Sequence, residues 1–170
     1  FTGIGNNGTI AISKSLTSAE HLPQGFKLHL GYNRIGDEGA QAIASQLSKS
    51  TSLPQGFSLN MSCNNFGLKG AQAIATALGQ ATWMPQDFTL NLTANHLGTD
   101  GALAIAQGLS SARQIPKGFI LDIRYTSLTS TDAETIKTIL KGASNLPEDF
   151  ILRLGEVYSP KDGKHIWISG

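Results

Sequence analysis

The chain has 170 residues, of which 40% are hydrophobic and 15% charged, and its formal net charge is +1. That supports one domain with a core of its own, and it excludes both a disordered composition and a charge excess that would direct the chain to nucleic acid. Cys63 is the single cysteine, so no disulfide forms within the chain, which fits a reducing compartment. No apolar run is long enough to cross a bilayer, and no membrane insertion is expected.

The first elements read in chain order are helical. Phe1 to Gly5 shows neither an initiator methionine nor a targeting signal, so the chain is expected to be a fragment of a longer protein. Ile4, Gly5, Gly8, Ile12 and Leu16 then fit the second half of a unit whose first half is missing.

From Pro23 onward a period takes over. Pro23, Pro54, Pro85, Pro116 and Pro147 stand 31 residues apart, and so do Phe26, Phe57, Phe88, Phe119 and Phe150, and Leu28, Leu59, Leu90, Leu121 and Leu152. Each unit opens with period-two alternation, as in Phe57-Ser58-Leu59-Asn60-Met61, which predicts a short strand. An asparagine follows at Asn33, Asn64 and Asn95, and then an apolar residue at Ile35, Phe66, Leu97 and Leu128. The second half of each unit places Ala40, Ile43 and Leu47, and their copies, at helical steps of three and four. Thr99 and Ser130 are the expected helix N-caps. The Leu-Pro step, as at Leu22-Pro23 and Leu53-Pro54, lies past the helix end, because the residue before proline is pushed out of the helical region and the helix cannot run through it.

One such unit cannot bury both its strand and its helical stripe, whereas stacked units can. The expected fold is therefore an α/β solenoid, a horseshoe of four full units with partial ends. Its parallel sheet lines the concave face and its helices the convex face. The repeat decays toward the C-terminus, where Thr126 and Val157 replace the asparagine. The solenoid is expected over residues 1–157 and a capping segment over 158–170, with Ile166, Trp167 and Ile168 covering the last coil.

Leu90-x-Leu92-x-x-Asn95-x-Leu97 resembles the core pattern of the leucine-rich repeat family. The helix with Gly-Ala-x-Ala-Ile-Ala at 70–75 looks like the ribonuclease-inhibitor subtype, and the Leu-Pro-Gln-Gly-Phe connectors at 22–26 and 53–57 look most like effectors of intracellular bacterial pathogens. Two departures stand out. The period exceeds the usual family range of roughly 20–29 residues. The first leucine of the pattern is replaced by Gly25, Gly56, Asp87, Gly118 and Asp149, so the phenylalanine one step later is expected to take over its packing. The resemblance implies that the asparagine amides satisfy backbone groups in the turn after each strand, as a ladder between coils. It further implies a non-catalytic protein-binding module, working as a monomer in a host cytoplasm, which binds or inhibits a protein partner through its concave face.

The concave face can be read in columns: His29, Asn60, Asn91, Asp122 and Arg153; then Gly31, Ser62, Thr93, Arg124 and Gly155; then Tyr32, Cys63, Ala94, Tyr125 and Glu156. Tyrosine, tryptophan and arginine are the types that most often anchor interfaces. The expected partner-binding residues are Asp122, Arg124, Tyr125, Arg153 and Tyr158, with Trp167 beside them and Tyr32 and His29 at the other end. No phosphate-cradling loop, no metal-ligand spacing and no nucleophile–base arrangement is present, so neither cofactor nor metal is expected. Two alternatives remain open. GTPase-activating proteins of this repeat subtype use residues of the post-strand turns, where Arg34 stands. The solenoid would otherwise be the targeting arm of a catalytic domain elsewhere.

Overall fold

Sequence repeats become structural columns. In the structure, a computed structural model, residues 3–16, 22–50, 53–158 and 165–169 are described, by backbone alone from 156 onward. The chain begins with α1 (Gly5–Leu16), then alternates β1 (Lys27–His29), α2 (Asp37–Lys49), β2 (Ser58–Asn60), α3 (Leu68–Gly79), β3 (Thr89–Asn91), α4 (Gly98–Ser111), β4 (Ile120–Asp122) and α5 (Ser130–Lys141). It closes with β5 (Ile151–Tyr158) and β6 (His165–Ser169). The sheet runs in chain order, parallel from β1 to β5. Its register pairs Leu28 with Leu59, Leu59 with Leu90, Leu90 with Leu121 and Leu121 with Leu152, so each step is one repeat. This is the expected α/β solenoid of strand–helix units. β5 runs through the expected boundary at 157/158, and β6 returns antiparallel along it, with Val157 opposite Ile166.

The core lies between sheet and helices. Leu59, Leu90 and Leu121 point into it from the strands, against the helical stripe of Ala40, Ile43 and Leu47 and its copies, all buried. Burying one such leucine or isoleucine stabilises the fold by about 1.5–3 kcal/mol. The vacated first-leucine position is filled by phenylalanine, as expected: Phe57, Phe88 and Phe119 are fully buried. Phe57 and Phe88 stack at a centroid distance of 6.0 Å, and Phe88 and Phe119 at 5.3 Å. Offset stacks of this kind add about 0.5–1.5 kcal/mol beyond burial.

The asparagine column forms the backbone ladder between coils. Asn64 donates through Nδ2 to the carbonyls of Leu30 and Met61, each at 2.9 Å. Asn95 donates to Met61 and Leu92, also at 2.9 Å. The Met61 carbonyl thus joins successive rungs. Thr126 donates only within its own turn, to Ile123 at 2.7 Å, because one short hydroxyl does not span two coils.

The expected helix caps are displaced. α5 is capped by Thr129, one residue before Ser130, in a reciprocal capping box with Asp132. Thr129 holds the extended backbone a cap requires (φ −87°, ψ 169°), whereas Ser130 is already helical. Thr99 lies inside the first turn of α4, and its hydroxyl donates to Asp132 of the next unit at 2.9 Å.

Candidate protein-binding face

Strand side chains alternate, so the positions flanking the buried leucines face the concave side. In three successive coils the outward residue folds back onto its own turn. Oδ1 of Asn60 accepts the backbone N–H of Ser62 at 2.9 Å, and Oδ1 of Asn91 that of Thr93 at 2.9 Å. Asp122 does the same with Arg124 at 3.2 Å. In these three coils the column organises the turn that follows the strand, a role the one-dimensional pattern does not distinguish from contact.

Asp122 is the centre of the C-terminal end. It is 3% exposed, too buried for direct contact with a partner. Arg124 donates to it as a fork, from Nε to Oδ1 at 2.9 Å and from Nη2 to Oδ2 at 2.7 Å. The Thr93 hydroxyl donates to Oδ1 at 3.0 Å, and Nη1 of Arg153 lies 3.8 Å from Oδ2. Burial alone would raise the Asp122 pKa, but the hydrogen bonds from Arg124 and Thr93 and the guanidinium charge outweigh it and hold the carboxyl below its ordinary value. Gly155 makes room for this arrangement: it has φ +87°, and a Cβ there would stand 3.1 Å from both Cβ and Cγ of Arg124. The two arginines remain accessible, their side chains 32% and 48% exposed.

Tyr125 stands beside this cluster, 64% exposed, and Tyr32 is its counterpart in the first coil, 61% exposed. Both have positive φ, 57° and 59°, as do Cys63 and Ala94 in the coils between them. Such a backbone is uncommon for residues other than glycine or asparagine. Its recurrence in four coils makes it a property of the turn. The turn projects whichever side chain occupies that position: tyrosine at both ends, cysteine and alanine in the middle. The Tyr32 hydroxyl is hydrogen-bonded with the Cys63 thiol, which raises the phenol above its ordinary pKa.

The candidate residues therefore divide into two groups. Arg124 and Arg153 come together around Asp122, with the exposed Tyr125 next to Arg124 in the chain. His29 and Tyr32, both exposed, lie at β1, three strand spacings away, which is about 14 Å. The backbone pairs Tyr158 with His165 and Glu156 with Trp167, while the Tyr158 and Trp167 side chains lie outside the described residues. Arg34 is exposed in the turn after β1 with φ 58°. Sequence reasoning missed Ile120 and Ile151, which are half-buried, adjacent in register and on the same side as Asp122 and Arg153. The alternation that turns Asp122 outward turns Ile120 outward too, so the signal was present. Among the described residues no group of histidine, cysteine and carboxylate side chains is arranged to hold a metal ion, and no helix is long and apolar enough to cross a membrane.

The Leucine Rich repeat family model matches residues 27–44, 58–75 and 89–106, each a strand with the first part of its helix. A comparison with curated proteins gave no match.

Proposed function

We propose that this leucine-rich repeat protein is a binding module that grips another protein at the C-terminal end of its concave face. Repeats of this kind offer extended concave surfaces to partners. The observation that carries the proposal is the Arg124–Asp122 fork beside the exposed Tyr125. An arginine already fixed in place loses little freedom on binding, and a rigid aromatic neighbour supplies contact area. The module acts as a monomer, without catalysis. The Leu-Pro-Gln-Gly-Phe connectors and near-identical units support the finer reading, of the ribonuclease-inhibitor subtype and of a bacterial effector that binds or inhibits a protein in a host cytoplasm.

The test is affinity capture from host-cell lysate with wild type, with Arg124→Glu/Tyr125→Ala, and with the convex-face control Lys137→Glu. The expected result is a partner kept by wild type and control and lost by the double variant, with circular dichroism unchanged. A partner kept equally by all three would overturn the site. Delivery into host cells, followed with a reporter fused to the chain, tests the effector reading separately.

A further inference from the structure

We infer that the partner presents an acidic peptide segment to this face, its carboxylates read by Arg124 and Arg153 and its apolar side chains by Tyr125 and the two isoleucines. The inference rests on the concave face being the binding face and adds the chemistry of what binds there.

Charge carries the argument. Among concave positions with described side chains, the cationic residues are Lys27, Arg124 and Arg153, and the single carboxylate is Asp122. The other described carboxylate side chains, such as Asp37, Asp100 and Glu134, lie on helices or connecting loops. Asp122 does not offer its charge to a partner: its side chain is 4% exposed and occupied by Arg124. Among the described side chains, two guanidinium groups around one buried carboxylate leave a positive charge uncompensated, on the solvent side.

Geometry directs that charge. Arg124 spends Nε and Nη2 on Asp122, so its remaining edge faces away from the carboxylate. Arg153 approaches Asp122 only to 3.8 Å and is about half exposed, which leaves its planar fork available for bidentate contact with a carboxylate. Ile120 and Ile151 sit alongside in register and provide apolar surface between the charged groups and the strand edge. A lysine or arginine of a partner placed here would meet like charge, which disfavours basic partners.

The probe is a short synthetic peptide of Asp-Glu-Phe triplets, compared with its Asn-Gln-Phe counterpart, each titrated into isotopically labelled protein and followed by NMR. The acidic peptide is expected to shift the Arg124 and Arg153 side-chain signals and to bind about tenfold more tightly than the amide peptide, a difference of one hydrogen-bonded charge pair. The preference should shrink as salt is raised. Arg153→Gln, at an exposed position, should remove most of it with the fold intact. Equal binding of both peptides on the concave face would overturn the acidic inference and leave concave binding standing. Shifts confined to the convex helices would overturn both. No shift with either peptide would overturn the inference alone, since partner capture tests the face independently.

Discussion

Asp37 Oδ1 accepts the backbone N–H of Gly70 at 2.9 Å, and that of Gly67 at 2.8 Å, so a residue in the first turn of α2 caps α3 rather than its own helix. Asn6 does the same for α2 through Gly36 at 2.8 Å and Gly39 at 3.2 Å. The equivalent residue before α4 is Leu68, which has no acceptor and is 40% exposed. There Gly98 takes φ +61° and the Leu97 carbonyl accepts the Gly101 N–H instead, at 3.2 Å. For α2 and α3, helix capping is thus a contact between repeats. Asp37→Ala should cost about 1 kcal/mol, and Asp37→Asn, which keeps the acceptor, clearly less. Urea denaturation of the two variants checks this. Equal losses would show that the charge, and not the acceptor geometry, supports α3.

Asp122 makes stability depend on acid in a definite direction. Its carboxyl is held below its ordinary value in the folded protein by Arg124 and Thr93, against the effect of burial. A carboxyl depressed by folding contributes stability that is complete above its unfolded pKa, near ~3.9, and is lost as pH falls through the lower folded value. Asp122→Asn should therefore reduce stability at neutral pH by about 1–3 kcal/mol and flatten the loss below about pH 4. Denaturation midpoints across this range compare the two proteins. Parallel curves would remove Asp122 from the acid response.

Asn64 holds two coils together, and its variants should rank by how many of its bonds they keep. Beyond its Nδ2 bonds, its Oδ1 accepts the N–H groups of Asn33 and Ile35, each at 3.0 Å. Asn64→Ala strands these groups in the interior and should cost roughly 3 kcal/mol. Asn64→Thr should cost less, because Thr126 shows that a hydroxyl still reaches the carbonyl of its own turn. Thermal melting distinguishes the two, and an equal drop would mean that the rungs between coils dominate.

The solenoid was legible because a fixed period converts directly into register: Leu59 and Leu90 recur in sequence and pair in the sheet. The phenylalanine substitution was legible for the same reason. Two features of the site were not. Period-two alternation marks Asp122 as outward, but its burial depends on Arg124 from its own turn and Arg153 from the next strand folding over it. The expected caps failed because backbone angles choose Thr129 over Ser130 and start α4 at Gly98, before Thr99, and the α3 cap was not legible because its oxygen belongs to a residue 30 positions before Gly67. Positive φ at Tyr32 and Tyr125 is likewise imposed by the coil, against the local preference of tyrosine.

Gly108 controls how closely α3 and α4 approach. A Cβ at this position would stand 2.8 Å from the carbonyl carbon of Ala75 and 2.9 Å from its Cα, and would collide with its carbonyl oxygen. These are backbone atoms, so no side-chain rotation relieves the clash and the helices must separate. Gly108→Ala gains about 0.5–1 kcal/mol of helix preference, but overpacking of this kind costs about 1–3 kcal/mol, and the net effect should be a lower melting temperature. Gly142→Ala is the control: it follows α5 with φ −74°, and its Cβ would find nothing closer than 3.5 Å, so it should leave stability unchanged. Because each repeat is stabilised through its neighbours, weakening this one boundary should also broaden the unfolding transition. A sharp transition with an unchanged midpoint in Gly108→Ala would mean that the α3–α4 spacing adjusts freely and that the sheet alone sets the stacking of the coils.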